Sequence, residues 1–140
     1  MIHLTNEQGR VVIPAARVRR LARRLAGRRS LSIAFVTNAA MRKINRRFLK
    51  HDFATDVLSF PLGGDPWGEL VISADYAAQE AGSRGIPVEE ELLRYVAHGI
   101  LHLLGYDDHD PGKKARMWKR QELELGRVLR PRKRNGRTRS

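Results

Sequence analysis

The chain lacks cysteine and long apolar runs, and each absence excludes a class of protein. Without cysteine among 140 residues, disulfide bonds are excluded, so any metal must be held by imidazole and carboxylate groups. No apolar run approaches the roughly 20 residues that a membrane span needs, so we expect no membrane association. The first ten residues lack the charged-then-apolar pattern of a signal peptide. A cytoplasmic location is therefore expected.

Two long segments near the ends of the chain lack acidic residues, and the net charge is +12. Residues 8–51 contain 13 basic and no acidic residues, and residues 127–140 contain 7 basic and no acidic residues. Residues 52–126 contain 14 acidic and 7 basic residues, so the centre is acidic. Basic residues at this density suit a polyanion, and nucleic acid is the usual one. The alternative is a general solubility charge in an arginine-rich proteome.

The apolar pattern predicts one α/β domain over residues 1–129, of a size that can bury its own core. Residues 31–36 (LSIAFV) have the composition of a buried strand, and residues 57–60 and 69–73 are expected to pair antiparallel. Helical spacing between the strands predicts about five helices packed with a small mixed sheet. The basic tail, residues 130–140, has no apolar side chain to bury and is predicted to be disordered.

Four further details of the fold follow from local patterns. Residues 11–13 are predicted to form an edge strand. The helix that starts at residue 74 is expected to end at Gly82, because glycine often follows a helix. Phe48 is expected on the inner face of the helix after LSIAFV, and Trp118 on the inner stripe of the last helix.

The most informative run is AHGILHLLGYDDHD, residues 97–110. His98 and His102 are four residues apart and project from the same helix face. Gly105 is expected to end that helix, and either Asp108 or His109 can then complete a three-ligand site with an open fourth position. Zinc prefers the imidazole, whereas two histidines with an aspartate also suit a harder metal such as manganese.

Position 99 separates this run from the familiar zinc-peptidase signature. That signature places a glutamate directly after the first histidine, where it serves as general base. Here the residue is Gly99, which disfavours a peptidase. A residue this small lets either another chain segment or the substrate approach the metal closely.

The motifs resemble those of a known family. HGILHLLGYD resembles the signature of the YbeY family of bacterial rRNA maturation endoribonucleases, TDVLSFP (residues 55–61) resembles its second motif, and GELVIS matches the strand after it. The resemblance covers about residues 31–125. It implies a small mixed sheet with the histidine helix against it, so that the metal site lies at the end of a buried helix. The implied activity is single-strand-specific, metal-dependent RNA cleavage in rRNA maturation, at the 3′ end of the small-subunit rRNA, and in ribosome quality control.

The resemblance also implies a cofactor and partners. His98 and His102 would be catalytic and would hold one divalent metal, with Zn²⁺ expected first. The implied partners are precursor rRNA and the small ribosomal subunit, with ribosomal proteins or a ribosome-assembly GTPase as further candidates. Nothing points specifically to DNA.

Two positions depart from the family pattern. The family usually has histidine directly after GYD, where this chain has Asp108 followed by His109. Either Asp108 is the ligand, which needs no insertion, or a one-residue bulge brings His109 to the metal. The family also commonly has an arginine, thought to serve the RNA, six residues before the threonine of TDVLSFP; here that residue is Leu49.

Other residues are expected around the cleft. A bound metal would either activate water or act as a Lewis acid on a phosphate oxygen. Basic residues between LSIAFV and TDVLSF are expected near the cleft, where they would contact phosphates without sequence choice: Arg42, Lys43, Arg46, Arg47 and Lys50. Thr55, Asp56 and Ser59 are expected to line the cleft. For Thr55 and Asp56, bracing the turn before the strand is an equal alternative.

Two other functions remain open at the level of sequence. A non-catalytic RNA-binding ribosome-assembly factor with a structural metal is favoured by Leu49 in place of arginine. A hydrolase of another small substrate is disfavoured by Gly99 and by the flanking basic charge.

Overall fold

The computed structural model describes residues 1–49 and 55–130, without the side chain of Leu49. Within these residues there are four strands and five α-helices: β1 (Ile2–Asn6), α1 (Ala15–Ala26), β2 (Leu31–Val36), α2 (Asn38–Ile44), β3 (Val57–Pro61), β4 (Gly68–Ser73), α3 (Ala74–Arg84), α4 (Val88–Leu103) and α5 (Pro111–Leu129). A π-helical segment, Asn45–Leu49, continues α2. The predicted α/β class with about five helices is confirmed. Lys50 and residues 131–140 lie outside the described residues.

The sheet is mixed, as predicted, with the strand order β1-β2-β4-β3. β1, β2 and β4 run parallel, and β3 pairs antiparallel with β4 at one edge. The antiparallel pair is the one predicted from sequence, with Ser59 opposite Leu70. Parallel neighbours need crossover connections, and α1 supplies the one between β1 and β2. No helix of the described ranges has both the length and the apolar character to cross a bilayer.

The two faces of the sheet carry cores of very different size. Side chains alternate along β4, so that Leu70 and Ile72 enter the large core with α1, α3, α4 and α5. Val71 points to the other face and joins a small cluster with Val36 and Met41 under α2. The histidine helix α4 and the basic helix α2 therefore lie on opposite faces of the sheet.

Most helix ends are where the local signals place them. Gly27, with φ of 63°, ends α1, and the Thr37 side chain caps α2 by accepting from the backbone N–H of Ala40 at 3.1 Å. Asp110 caps α5 by accepting from the N–H of Lys113 at 2.8 Å. These interactions involve residues within one turn of each other, which is why the sequence predicts them.

Two predicted boundaries are wrong. Residues 11–13 form a loop, because the Gln8 side chain bonds the backbone of Val11 and so takes the place of a strand ladder. α3 continues through Gly82 and ends at Gly85, with φ of 68°. A helical glycine costs only about 1 kcal/mol, and beyond it Arg84 is held by its hydrogen bonds to both oxygens of Glu91.

The inward orientation of two aromatic residues is also wrong. Phe48 is 61% exposed, because the widening of α2 into the π-helical segment rotates it away from the Met41 face. It packs edge-on against Phe60 with ring centroids 6.3 Å apart. Trp118 is 52% exposed, because the buried stripe of α5 passes through its neighbour Met117.

Candidate metal centre

The C-terminal end of α4 turns the chain back beside its own histidines. Gly105 has φ of 102°, a conformation that glycine adopts readily. The N–H of Tyr106 donates to the carbonyl of Leu101 at 3.0 Å, and the N–H of Gly105 donates to the carbonyl of His102 at 3.0 Å. This double closure is a Schellman motif, and it directs the following loop toward His102.

Three side chains meet at this helix end. Ligand atoms of His98, His102 and Asp108 all lie within 4.8 Å of one another. The two histidine Nε2 atoms are 3.1 Å apart, and their rings meet edge-to-face. Two imidazole nitrogens and one carboxylate oxygen are a donor set that zinc and other divalent transition metals accept. The residues present therefore fit a single divalent cation.

Gln121 of α5 determines which nitrogen of His98 faces this cluster. Nδ1–H of His98 donates to Oε1 of Gln121 at 2.8 Å, and the Gln121 side chain is 1% exposed. The Gln121 amide donates in turn to Glu122 Oε2 at 3.0 Å, which orients its oxygen toward the histidine. With Nδ1 protonated, Nε2 of His98 keeps its lone pair toward the cluster, as a metal ligand needs.

Burial and its neighbour make His102 a neutral imidazole. Burial lowers the pKa of His102 first, and the charge of His98 lowers it further. Asp108 and a hydrogen bond with the Tyr106 backbone act in the opposite direction, but they do not overcome the burial. The neutral form, which is the one that binds a metal, is therefore favoured near neutral pH.

The loop after α4 separates the two candidates for a third ligand. Asp107 accepts a hydrogen bond from the backbone N–H of His109 at 3.1 Å and lies 3.7 Å from Lys113 Nζ. The backbone bond and the lysine charge lower the pKa of Asp107. The His109 side chain is 85% exposed and faces Asp107, with Nδ1 at 3.4 Å. The structure thus brings Asp108 to the histidines and leaves His109 outside the cluster.

Gly99 faces the sheet. A Cβ atom at this position would lie 2.8 Å from Leu70 Cδ2 and 3.1 Å from Val57 Cγ2. Ser59 also donates its hydroxyl to the Gly99 carbonyl at 3.1 Å. The close approach expected at Gly99 is therefore that of another chain segment, β3 with β4. A glutamate here would have to enter a packed interface.

Of Thr55, Asp56 and Ser59, which are predicted to line the cleft, Asp56 is the one that lines the cavity beside the histidines. Its Oδ1 accepts from the N–H of Val57 at 2.7 Å and lies 3.3 Å from Thr55 Oγ1, so it braces the turn before β3. It also lines the cavity beside His98 and Asp108. Thr55 and Ser59 do not line that cavity, and Ser59 is bonded to α4 instead.

A cavity of about 220 Å³ opens beside the ligand cluster, between α4 and α5. In addition to His98, Asp108 and Gln121 it is lined by Asp56, Arg84, Glu91, Arg94, Tyr95, Lys114, Met117 and Trp118. The cavity is large enough to receive part of a substrate next to the proposed cation.

The comparisons with known proteins identify a family for the chain. The sequence profile of the family described as endoribonuclease YbeY matches residues 3–128. The chain belongs to the YbeY family. A relative named endoribonuclease YbeY from Anaeromyxobacter dehalogenans is 50% identical over 103 residues, covering 70% of this chain and 53% of the relative. One of the same name from Chlorobaculum parvum is 42% identical over 101 residues, covering 71% and 72%.

A solved structure is similar throughout. The solution structure of TM1509 from Thermotoga maritima matches with a TM-score of 0.67 at 27% identity, covering 91% of this chain and 89% of that one.

The sequence match with the Anaeromyxobacter relative, in contrast, spans only about half of that relative's length, 53%.

Several side chains around the YbeY-family histidines were missed by the sequence reasoning. Arg94 is 8% exposed and donates to Glu91 at 2.7 Å and to both oxygens of Glu122 at 2.9 Å. Arg84 donates to both oxygens of Glu91 at 3.1 Å. Two features of the sequence could have indicated these contacts. Gln121 lies on the apolar stripe of α5, and Glu91 and Arg94 lie three residues apart in the buried helix α4.

These contacts determine the protonation of the cavity floor. The hydrogen bonds that Arg94 donates to Glu122, and then to Glu91, raise the pKa of Arg94 above its usual range despite partial burial. Burial raises the pKa of Glu122, but hydrogen bonds from Arg94 and Gln121 outweigh it, and the net pKa is lowered. Burial, followed by the charge of Glu91, raises the pKa of Tyr95. The floor therefore consists of paired charges and a neutral tyrosine.

The predicted RNA-binding residues lie elsewhere. Arg42, Lys43, Arg46 and Arg47 are exposed on α2 and the π-helical segment, and none lines the cavity. α2 covers the face of the sheet opposite this cavity, and contact between these basic side chains and RNA stays a prediction. The segment that follows α2 does reach TDVLSF in space, since Phe48 packs against Phe60, but it does so on the face of the sheet away from α4. Lys50 lies outside the described residues.

Proposed function

We propose that this chain is a metal-dependent endoribonuclease that cuts single-stranded regions of RNA. The observation that carries the proposal is the cluster of His98, His102 and Asp108, with ligand atoms within 4.8 Å, at the mouth of a cavity. The endoribonuclease name shared by the relatives supports RNA as the substrate. The +12 charge of the chain supports a polyanionic partner.

His98, His102 and Asp108 would hold one divalent cation, which we propose is Zn²⁺. When bound, the cation supplies Lewis acidity toward a phosphate oxygen or lowers the pKa of water. The chain's own contribution is positional. Gln121 presents Nε2 of His98, burial keeps His102 neutral, and the Schellman turn at Gly105 delivers Asp108.

Asp56 is the carboxylate that we propose as proton acceptor. It lines the same cavity as His98 and Asp108, and only its Oδ1 is engaged by the turn before β3. A general base needs an unengaged oxygen within reach of the attacking group, and within the described residues Oδ2 of Asp56 has no hydrogen-bond partner. Asp56→Asn is expected to lower kcat by about 10²-fold and to leave the metal content unchanged.

The physiological substrate is proposed from the motifs that the chain shares with its family. We infer a role in the cytoplasm on precursor rRNA at the 3′ end of the small-subunit rRNA, and in ribosome quality control. Ribosomal proteins or a ribosome-assembly GTPase are candidate partners. The acidic surroundings of the cavity would repel RNA, so the cation and the exposed basic surface must offset that repulsion.

The decisive experiment combines metal analysis and cleavage on the same samples. Purified protein is expected to carry about one metal per chain and to cut structured rRNA, and His102→Ala to lose both. Full metal content and cleavage in His102→Ala would overturn the proposal. RNA binding that depends on salt but not on chelator, without cleavage, would instead select the assembly factor with a structural metal.

A further inference from the structure

Trp118 is exposed where the apolar pattern of α5 would bury it. Its side chain is 52% exposed, yet it lines the cavity that holds His98 and Asp108. Its neighbour Met117 takes the buried position, with 2% exposure. Packing among the described residues thus leaves about half of this large aromatic ring open, at the mouth of a candidate active site, where a partner can contact it.

The charges of the cavity determine what can enter it. Both arginines of the lining are already engaged, since Arg84 bonds Glu91, and Arg94 bonds Glu90, Glu91 and Glu122. A phosphate would find these guanidinium groups occupied and the neighbouring carboxylates repulsive. Among the lysines and arginines of the lining, Lys114 is the one for which the described residues provide no carboxylate partner. It is exposed at the rim, one turn before Trp118.

We propose that this cavity is a nucleobase subsite in which one base of the RNA strand stacks on Trp118. The adjoining backbone phosphate lies over Lys114, outside the paired charges of the floor. The inference rests on the proposed function for the identity of the strand, and it adds a recognition element to that site. It assigns Trp118 to substrate binding.

The shape and surface of the cavity fit a base better than a phosphate. Its surface is mainly apolar, with Met117, Tyr95 and Trp118 among the lining residues, and its volume of about 220 Å³ admits a planar heterocycle. Base–aromatic stacking is sequence-tolerant, because every base offers a π-face. The subsite would therefore position a single-stranded nucleotide near the cation without selecting its sequence. A paired base cannot enter, so the subsite also supplies a physical reason for single-strand preference.

The two tryptophans of the chain allow a direct test. Trp67 does not line the cavity and lies instead under Arg29, with the guanidinium carbon 5.1 Å from the ring centroid. Trp67→Phe leaves Trp118 as the fluorescent reporter, and Trp118→Phe leaves Trp67 as the matched control. Each protein, with its metal bound, is mixed rapidly with a single-stranded oligoribonucleotide or with an abasic oligonucleotide of equal length, and the fluorescence is read before cleavage.

The expected result is quenching of Trp118 by the RNA but not by the abasic strand, with no change in Trp67. Equal response to both strands, or no quenching of Trp118, would overturn the subsite. If the RNA is nevertheless cleaved, the proposed function stands and only the subsite fails. If Trp118 is quenched but no metal restores cleavage, base binding stands and the proposed function fails.

Kinetics give a second readout that a merely structural role would not produce. Trp118→Ala is expected to raise KM about tenfold with a smaller change in kcat, and Trp118→Phe to restore most of the loss. Lys114→Gln is expected to lower the slope of log affinity against log salt by about 0.7, the value for one phosphate of a single strand. An unchanged KM in Trp118→Ala would contradict the proposal.

Discussion

The two faces of the sheet are covered by cores of different size, and they carry the side chains proposed for two different roles, metal binding and RNA binding. On one face α1, α3, α4 and α5 bury Leu70 and Ile72 in a large core, and the histidine cluster lies at its edge. On the other, α2 covers a small cluster around Met41 and carries exposed basic side chains. A deep core holds side chains in single rotamers, which a metal site needs, whereas surface phosphate contacts need only charge.

Truncating one core residue on each face tests this comparison with the largest expected effect. Ile100 and Met41 are both fully buried. Ile100→Ala is expected to lower the free energy of unfolding by about 3–5 kcal/mol and Met41→Ala by about 2 kcal/mol, because the smaller cluster can relax around the cavity. Urea unfolding of the two variants measures the difference. Equal losses would show that the faces are equally rigid.

The loop that follows α4 provides a sharper test at the site itself. Asp108→Ala is expected to weaken Zn²⁺ binding about 100-fold, because the carboxylate that would bind the cation directly is removed. His109→Ala is the matched control and should bind as wild type, since that ring faces Asp107 and solvent. Chelator competition measures both affinities. The reverse ranking would mean that a bulge brings His109 to the metal.

A substitution at Gly99 tests the packing of α4 against the sheet. Gly99→Ala places Cβ 2.8 Å from Leu70 Cδ2 in the fully buried core, so overpacking should outweigh the gain in helix propensity. The expected loss is about 1–2 kcal/mol of unfolding free energy. Gly126→Ala in α5 is the matched control, where nothing lies within 4 Å and a gain of about 0.5–1 kcal/mol is expected. Thermal or urea unfolding compares them, and a stabilised Gly99→Ala would refute the packing argument.

The role of the basic side chains on the α2 side of the sheet can be tested by removing their charge. Lys43→Gln combined with Arg47→Gln is expected to weaken RNA binding and to lower the salt slope by about 0.7 for each phosphate that is no longer neutralised. Binding titrations over a range of salt concentrations provide the measurement. If the slope is unchanged, the basic side chains of α2 and the π-helical segment serve only solubility. RNA would then contact only the face of the sheet that α4 and α5 cover.

The smallest effect is expected from the ion pair behind the cavity. The pKa of Glu122 is lowered in the folded protein, so its contribution is present above its unfolded pKa and is lost as pH falls through the folded value. Its side chain is 30% exposed, which limits the contribution to about 1 kcal/mol. Glu122→Gln should therefore be less stable than wild type at pH 7, with the gap closing in acid. A gap that persists unchanged in acid would contradict this pH dependence.

The elements of the fold were predictable to different extents. The limits of β2, the pairing of β3 with β4 and the cap at Asp110 follow from composition and from contacts within a turn or a hairpin. The position of α2 was not predictable, because the face on which a crossover helix packs depends on the whole sheet. The strand predicted over residues 11–13 failed because a single side chain, Gln8, satisfied its backbone.

By itself, the sequence determined that His98 and His102 share a helix face, that the helix ends near Gly105, and that a carboxylate or imidazole follows within four residues. Those features depend on helical periodicity and on one glycine, which are local. Only the tertiary structure decided that Asp108 turns inward, that Gln121 supports His98, that Gly99 meets the sheet and that Trp118 stays exposed. The last three depend on how α4 and α5 pack against each other or the sheet, through contacts between residues far apart in the chain. The turn of Asp108 depends on the conformation of the loop after Gly105, which the residue types leave open between Asp108 and His109.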